Sequence, residues 1–456
     1  MKIKTLIVCL ILANLNFTNL HAQSALEKYI NDGLESNNSI KQQNFLLEKN
    51  IFALEEAKRM FFPNVSFSTT YSKAKGGRTI DFPTGDLFNG INSTLNQITG
   101  TNTFPQLVNE QIQLNPNNFY DSKIRTDLPL LNSELIYNKK INKQKVHLQT
   151  EEVLLFKREL VKDIKTAYYQ YLKSVKTVEI YSSALLLVEE SRRINLSLFN
   201  NGKVNRSSVL RSENEVSKIN TNLVDANKAK ESAQYYFNFL LNRPLSEPII
   251  IELLAEIPPK SGLIETDNNI ENREELIKLK IGKEINDNQI KLDKSFIIPK
   301  VGTYLDMGSQ AFNWQFNKQS LYYFWGISLE WNVFSSGKNS SKIKQSVAYQ
   351  NSLIAQIDYV TSQLRTELKV KQNEMYTSLA EYEASKFQLK TSQTYYNDMI
   401  KSYKEGLVLY IELLDAQNQL TESQLKENIA LYNTWISYVS VERANASFEI
   451  KKNNIK

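Results

Sequence analysis

Phe199-Asn200-Asn201-Gly202-Lys203-Val204 and Tyr403-Lys404-Glu405-Gly406-Leu407-Val408 close two long helical runs in the same way. Each ends on a glycine that lets the chain reverse where a β-carbon would strain. The likeness continues past the turns, where Val209, Leu210 and Asn214 recur as Leu413, Leu414 and Asn418. It also extends backwards. Phe61-Phe62-Pro63-Asn64-Val65 matches Ile297-Ile298-Pro299-Lys300-Val301, and each marks a helix ending at proline and a strand beginning. Leu128-Pro129-Leu130-Leu131 stands where Trp331-Asn332-Val333-Phe334 stands in the second half. The later pairs keep nearly constant spacing; the first differs because the first half carries a longer polar loop, 76–121. The chain therefore reads as two tandem repeats, each helix, strand, loop, strand, long helix, glycine turn, helix.

The helical segments carry apolar residues at alternating three- and four-residue steps. The first has Val161, Ile164, Tyr168, Tyr171, Val175 and Val178; the second Val216, Ile219, Leu223, Ala226, Ala233, Phe237 and Leu240. The third has Ile354, Ile357, Thr361, Leu364, Leu368 and Met375; the fourth Leu425, Ile429, Tyr432, Ile436 and Val439. This is the seam of helices packed at shallow angles, so these residues are core and not ligands. Neither proline nor glycine interrupts Leu135–Phe199 or Lys338–Glu405. At 1.5 Å per residue each reaches roughly 100 Å, which suits a tube across a compartment better than a compact globule.

Four short stretches alternate instead. Val65, Phe67, Thr69 and Tyr71; Ile124, Thr126, Leu128 and Leu130; Val301, Thr303 and Leu305; and Trp325, Ile327, Leu329, Trp331 and Val333 each form one apolar face. Arg125, Asp127, Asp306 and Glu330 lie on the other. A wet lumen and a lipid face explain this, and so does an amphipathic sheet on a soluble core; alternation alone does not choose. Four strands cannot close a barrel, since the smallest need about eight. In lipid a lone copy would leave two sheet edges bare, so strands must pair between copies. Cyclic symmetry with three copies gives twelve strands.

Composition narrows the class. The 456 residues include only 14 Gly and 10 Pro, and 55 Lys+Arg against 49 Asp+Glu leave +6, too balanced to call for nucleic acid. Residues 1–22 read as a signal peptide: Lys2 and Lys4, the apolar run Leu6–Leu15, then Ala22. The single cysteine, Cys9, is expected to leave with it, and His147 is the one histidine that remains. No nucleophile elbow, metal-spacing cluster or phosphate loop is evident, so neither enzyme activity nor a cofactor or metal is expected. The expected organisation is a first repeat over 23–242, with strands at about 63–72 and 122–131 and helices at about 135–199 and 205–241. A connector at 243–273 follows. The second repeat covers 274–450, with strands at about 299–308 and 322–334 and helices at about 338–402 and 409–446. A tail, 451–456, closes the chain.

These features together resemble the TolC-like outer-membrane efflux protein family over nearly the whole mature chain. Ser24 through Lys41 is similar to the family's opening helix, with Ser39 where a proline is common, and Ala57–Val65 to its helix-to-strand passage. Tyr403-Lys404-Glu405-Gly406 followed by Glu412-Leu413-Leu414-Asp415-Ala416-Gln417 is similar to the periplasmic turn of its last helical pair. The resemblance implies a mainly α fold with a membrane β-barrel: a trimeric twelve-stranded outer-membrane barrel continuous with a long periplasmic α-helical barrel. It implies a homotrimer in outer-membrane lipid, docked to a periplasmic adaptor (membrane fusion) protein and an inner-membrane transporter, serving efflux or type I secretion. It places Glu412, Asp415 and the gate tyrosine Tyr403 at the periplasmic aperture. Threefold repetition would give rings of negative charge favouring cations; a solvated first helical turn favoured by the helix dipole explains the same acids. The family's companion arginine falls at Val408, and Ser207-Ser208 replace a hydroxyl–acid pair, so that salt bridge cannot form. Gly202, Lys203, Val204, Gly406, Leu407 and Val408 are implied as adaptor-docking tips, and Trp325, Ile327, Leu329 and Trp331 face lipid. A periplasmic or surface coiled-coil scaffold is the competing reading; it explains the heptads but not the strands.

Overall fold

The computed structural model describes residues 25–252, Pro258 and residues 270–450. The predicted signal segment 1–22, the tail 451–456 and most of the connector lie outside the described residues. In chain order the elements are α1 (Ala25–Ser36), α2 (Asn38–Arg59), β1 (Asn64–Ser72), β2 (Thr79–Phe82), α3 (Thr84–Thr99), β3 (Glu110–Gln113) and β4 (Phe119–Leu131). There follow α4 (Ser133–Asn200), α5 (Arg206–Leu240), α6 (Glu274–Lys294), β5 (Lys300–Phe312), β6 (Leu321–Glu330), α7 (Lys338–Lys404) and α8 (Tyr410–Ala444). The chain divides into two compact units, each drawing on both repeats: residues up to 51 with 144–286 and 349 onward, and residues 52–143 with 287–348.

In the second of these units, β1, β4, β5 and β6 form one antiparallel sheet in that order. Paired residues share a face, so the register sorts the side chains. Phe67 pairs Ile124, Ile124 pairs Met307 and Met307 pairs Tyr323; one row along, Val65, Thr126, Leu305 and Trp325 line up. On the opposite face Ser66, Arg125, Asp306 and Phe324 share a row. There the charges pair among themselves: Lys123 with Asp121 at 3.2 Å, and Arg125 with Asp127 at 3.1 Å and Asp306 at 3.6 Å. The Arg125 guanidinium also lies 4.5 Å from the Tyr304 ring centre, and Gly326 leaves the space that ring fills. The apolar face is bare, with Phe67 72% and Trp325 62% exposed. Among the described residues, the outer edges of β1 and β6 have no strand partner.

Two expectations are corrected here. The strand predicted to reach 334 stops at Glu330, because its partner β5 begins at Lys300 and the preceding Pro299 has no N–H to offer. Trp331 and Val333 therefore lie beyond the strand, both exposed. The segment 76–121, predicted as a loop, contains the β2–β3 hairpin, the helix α3 and the start of β4. Its helix carries Phe88, Ile91, Leu95 and Ile98 at helical steps, but the Asn, Thr and Gly around them read as loop.

In the first unit, the helical core gathers Tyr29, Ile30, Val161, Ile164, Tyr168, Leu172, Phe237, Leu240 and Val439. Most of these lie on the predicted seams. The predicted opening helix is broken at Asn37, whose Oδ1 accepts the N–H of Ser39 at 2.8 Å and restarts the chain as α2. The α8 seam differs from expectation: Ile429 is exposed, while Ser423, Asn428, Ala430 and Thr434 are buried. The facing stripe of α7 explains it. Ser378, Ser385 and Ser392 recur one heptad apart, all buried, and Ser392 meets Ser423 at 2.8 Å while Thr434 donates to the Ser378 carbonyl at 3.1 Å. Small side chains let two long helices approach closely, and their hydroxyls fix the register.

Where α4, α6 and α8 meet, a charge network is built around the buried arginines Arg158, Arg273 and Arg443. Arg273 grips Glu275 with two bonds of 2.9 and 3.0 Å, Arg443 donates to Glu275 at 2.7 Å and to Glu159 at 2.9 Å, and Arg158 pairs with Glu274 at 2.8 Å. Burial pushes the Glu275 carboxyl up, but the Arg273 bonds and the charges of Arg443 and Arg273 outweigh it and bring the pKa down to about 2. A carboxyl depressed in the folded state stabilises it above the unfolded value near 4.5 and loses that contribution as pH falls toward 2. We expect the melting temperature followed by circular dichroism to drop between pH 5 and pH 2. In Glu275→Gln the drop is smaller; an unchanged pH dependence would show that the carboxyl is not held this way.

Candidate functional site

The two glycine turns are built by the same hydrogen bonds. Gly202 N–H donates to Phe199 at 2.9 Å and Lys203 N–H to Leu198 at 2.9 Å; Gly406 N–H donates to Tyr403 at 3.0 Å and Leu407 N–H to Ser402 at 2.9 Å. Both glycines are left-handed, at φ +66° and +78°, with open space where a β-carbon would stand. This crossed pair of bonds satisfies the last carbonyls of each long helix. The next helices restart alike, from Asn205 and Leu409 at nearly equal dihedral angles.

The turns lie together. Gly202, Lys203, Val204, Tyr403, Gly406 and Val408 line one recess of about 390 Å³, while Leu407 projects outward, 72% exposed. Beneath it Tyr396, Tyr403, Tyr410, Leu413, Ala416 and Leu420 form a local core, against which Val408 packs. Tyr403 is buried, its hydroxyl donating to Asn195 Oδ1, and its ring centre is 5.9 Å from that of Tyr410. Burial raises the pKa of Tyr403, and raises that of Tyr410 to about 12 with help from Glu215. Both phenols are neutral at any physiological pH.

Glu412 and Asp415 are exposed, one turn apart at the start of α8. Glu412 Oε2 accepts the Leu409 N–H at 2.7 Å, which caps a helix whose Leu409 has no side-chain acceptor of its own. Asp415 Oδ2 accepts from Gln419 at 2.6 Å. The structure thus separates the predicted aperture residues: two acids at the surface and one tyrosine inside.

Sequence reasoning missed the polar groups that tie α4 to the second repeat. Gln417 Nε2 donates to Ser191 Oγ at 2.7 Å, Asn428 Nδ2 donates to Thr177 Oγ1 at 3.0 Å, and Asn195 receives Tyr403. Their signal was present: Ala184, Val188, Ser191 and Asn195 keep heptad spacing, so two polar residues stand on an apolar seam. Of the residues expected to face lipid, Trp325, Ile327 and Leu329 lie in β6 on its bare apolar face, and Trp331 just past its end. Among the described residues no helix is long and apolar enough to cross a membrane, and no His, Cys, Asp or Glu cluster could hold a metal.

Solved structures share this fold at low identity. A membrane protein from Pseudomonas aeruginosa matches with a TM-score of 0.75 at 15% identity, covering 93% of this chain and 94% of that one. The outer membrane protein VceC of Vibrio cholerae matches at 0.73 and 13%, covering 92% and 95%. The MtrE outer membrane channel of Neisseria gonorrhoeae, in its open state, matches at 0.72 and 14%, covering 92% and 88%. No curated protein is a significant match. Residues 267–446, which hold α6, β5, β6, α7 and α8, match the family described as Outer membrane efflux protein. That match covers the second half of the chain, and the fold is shared with these solved membrane proteins over nearly the whole length.

Proposed function

We propose that three copies of this chain form the outer-membrane exit channel of a tripartite efflux or type I secretion system. The observation that carries this reading is the four-stranded sheet with one face apolar and bare and both outer edges unpaired. Hydrocarbon supplies no hydrogen bonds, so β1 of one copy must pair with β6 of the next, and three copies make a twelve-stranded barrel. Its charged face then lines the lumen. Exposed Phe45 and Phe52 on α2, and Tyr359, Tyr376 and Phe387 on α7, supply apolar surface for contacts between copies in the periplasmic duct. The recess at the glycine turns is where a periplasmic adaptor's helical tip docks, linking the duct to an inner-membrane pump. The protein is a conduit and performs no catalysis.

Asp415 and Glu412, repeated threefold, set a negative ring at the periplasmic mouth. Tyr403 holds the first repeat to the second beside that mouth, through Asn195 and without an arginine.

In mild detergent the purified mature protein should have three times the chain mass by light scattering; a water-soluble monomer would end this reading. Glu412→Gln with Asp415→Asn keeps the cap acceptor and removes both charges. In planar bilayers it should shift the reversal potential toward anions, and unchanged selectivity would remove the aperture role. Tyr403→Phe leaves buried Asn195 Oδ1 without its donor and should cost about 1–3 kcal/mol. Chemical denaturation measures it, and Tyr403→Phe with Asn195→Leu should recover part of the loss.

A further inference from the structure

The helix α4 leaves the sheet with its rotation fixed. In its first turn Glu134 accepts the Lys300 ammonium at 2.7 Å, and Lys300 stands opposite Glu330 in the ladder, on the charged face of the sheet. Glu134, Lys300 and Glu330 line one recess of about 230 Å³ with Asp293 of α6 and Lys342 of α7, which pair at 3.2 Å. One side of each helix therefore continues the charged face. At 3.6 residues per turn, Ile136, Lys139, Lys140 and Lys143 fall on the side of α4 away from Glu134. That side continues the bare apolar face. Leu131 pairs with Val301 there, Ile136 is exposed next, and the three exposed lysines follow. Lys291 and Lys344, nearly opposite Asp293 and Lys342 on their own helices, are exposed as well.

These lysines differ from those on the charged face. Lys123, Arg125 and Lys300 each have a carboxylate partner. Among the described residues Lys139, Lys140 and Lys143 have none; instead Lys139 Nζ lies 5.6 Å from the Phe61 ring centre and Lys140 Nζ 5.2 Å from that of Tyr137. Phe62, Trp331 and Phe334 are exposed at the same end of the sheet. Aromatic rings beside lysines are the makeup of a membrane–water boundary, where the lysine stem lies on apolar surface and the ammonium reaches the headgroups. Charge also divides the two ends of the sheet. Residues 52–63, 132–143, 287–299 and 331–348, where the long helices attach, hold ten Lys and Arg against five Asp and Glu; the connections at the other end, 73–118 and 313–320, hold four against three. A basic patch next to a lipid face attracts anionic headgroups, and each lysine that engages adds about fivefold.

We propose that Lys139, Lys140 and Lys143, with Lys291 and Lys344, form a collar that binds the phosphates of anionic phospholipid in the periplasmic leaflet. The proposal rests on the trimer reading, which makes the apolar face the lipid face and the helical end the periplasmic one. Native mass spectrometry of the purified protein, mixed with equal amounts of phosphatidylglycerol and phosphatidylcholine of the same acyl chains, tests it. The trimer should retain phosphatidylglycerol in excess by about fivefold or more. Lys139→Gln with Lys140→Gln and Lys143→Gln keeps the stems and should lower that ratio by at least about fivefold. Lys73→Gln with Lys75→Gln and Arg78→Gln, at the other end of the sheet, should leave it unchanged. A trimer that holds both lipids equally, or whose preference survives the first triple variant, overturns the collar; a preference lost only in the second would put the anion site at the outer end. A monomer, seen before any lipid is added, overturns the channel reading instead.

Discussion

A β-strand in hydrocarbon must bond every backbone N–H and C=O to protein. Among the described residues four strands form the main sheet, and its two edges, β1 and β6, have no strand partner within the chain. The bare apolar face formed by Phe67, Ile124, Met307 and Trp325 makes the same demand in another form. In the proposed trimer, closure with further copies satisfies both. The opposite face needs none: its Lys, Arg and Asp side chains neutralise one another within the sheet, which suits a wetted wall.

The helical unit solves a different problem, which is to hold very long helices in a single register. Apolar seams alone permit sliding by a heptad. The serines at 378 and 392 oppose it, because Ser378 donates to Ser437 at 3.1 Å and Ser392 meets Ser423 at 2.8 Å across the α7–α8 contact. The charge network of Arg273, Arg443, Glu275 and Glu159 ties α8 to α4 and α6, and Asn195 with Tyr403 ties α4 to α7 near the glycine turns. These buried contacts add specificity more than net stability, since desolvation offsets much of each ion pair.

The architecture was legible because duplication and period are properties of the chain itself. Pro63 and Pro299 mark the strand starts, Gly202 and Gly406 the turns, and Val161 through Leu172 the core. What was not legible depended on partners distant in sequence. Ile429 looks like a seam residue until the serines of α7 show that the contact is made by small side chains. The helix α3 keeps apolar residues at helical steps, but its Asn, Thr and Gly content reads as loop, and the bonds from Asn89, Asn92 and Asn96 to the returning segment needed coordinates. Trp331 continues the alternation of β6 in sequence, but β5 offers no partner for it beyond Lys300. At the turns, Glu412 was expected as an acid of the mouth; its bond to the Leu409 N–H needed coordinates.

The most direct measurement is hydrogen exchange at the backbone amides of β1 and β6, followed by mass spectrometry on the purified protein in lipid nanodiscs. If another copy completes each edge, the outward amides of Val65–Tyr71 and Tyr322–Leu329 exchange as slowly as those of β4 and β5 between them. Edge amides that exchange within seconds, while β4 and β5 stay protected, would mean that the sheet ends with one chain and that no barrel forms.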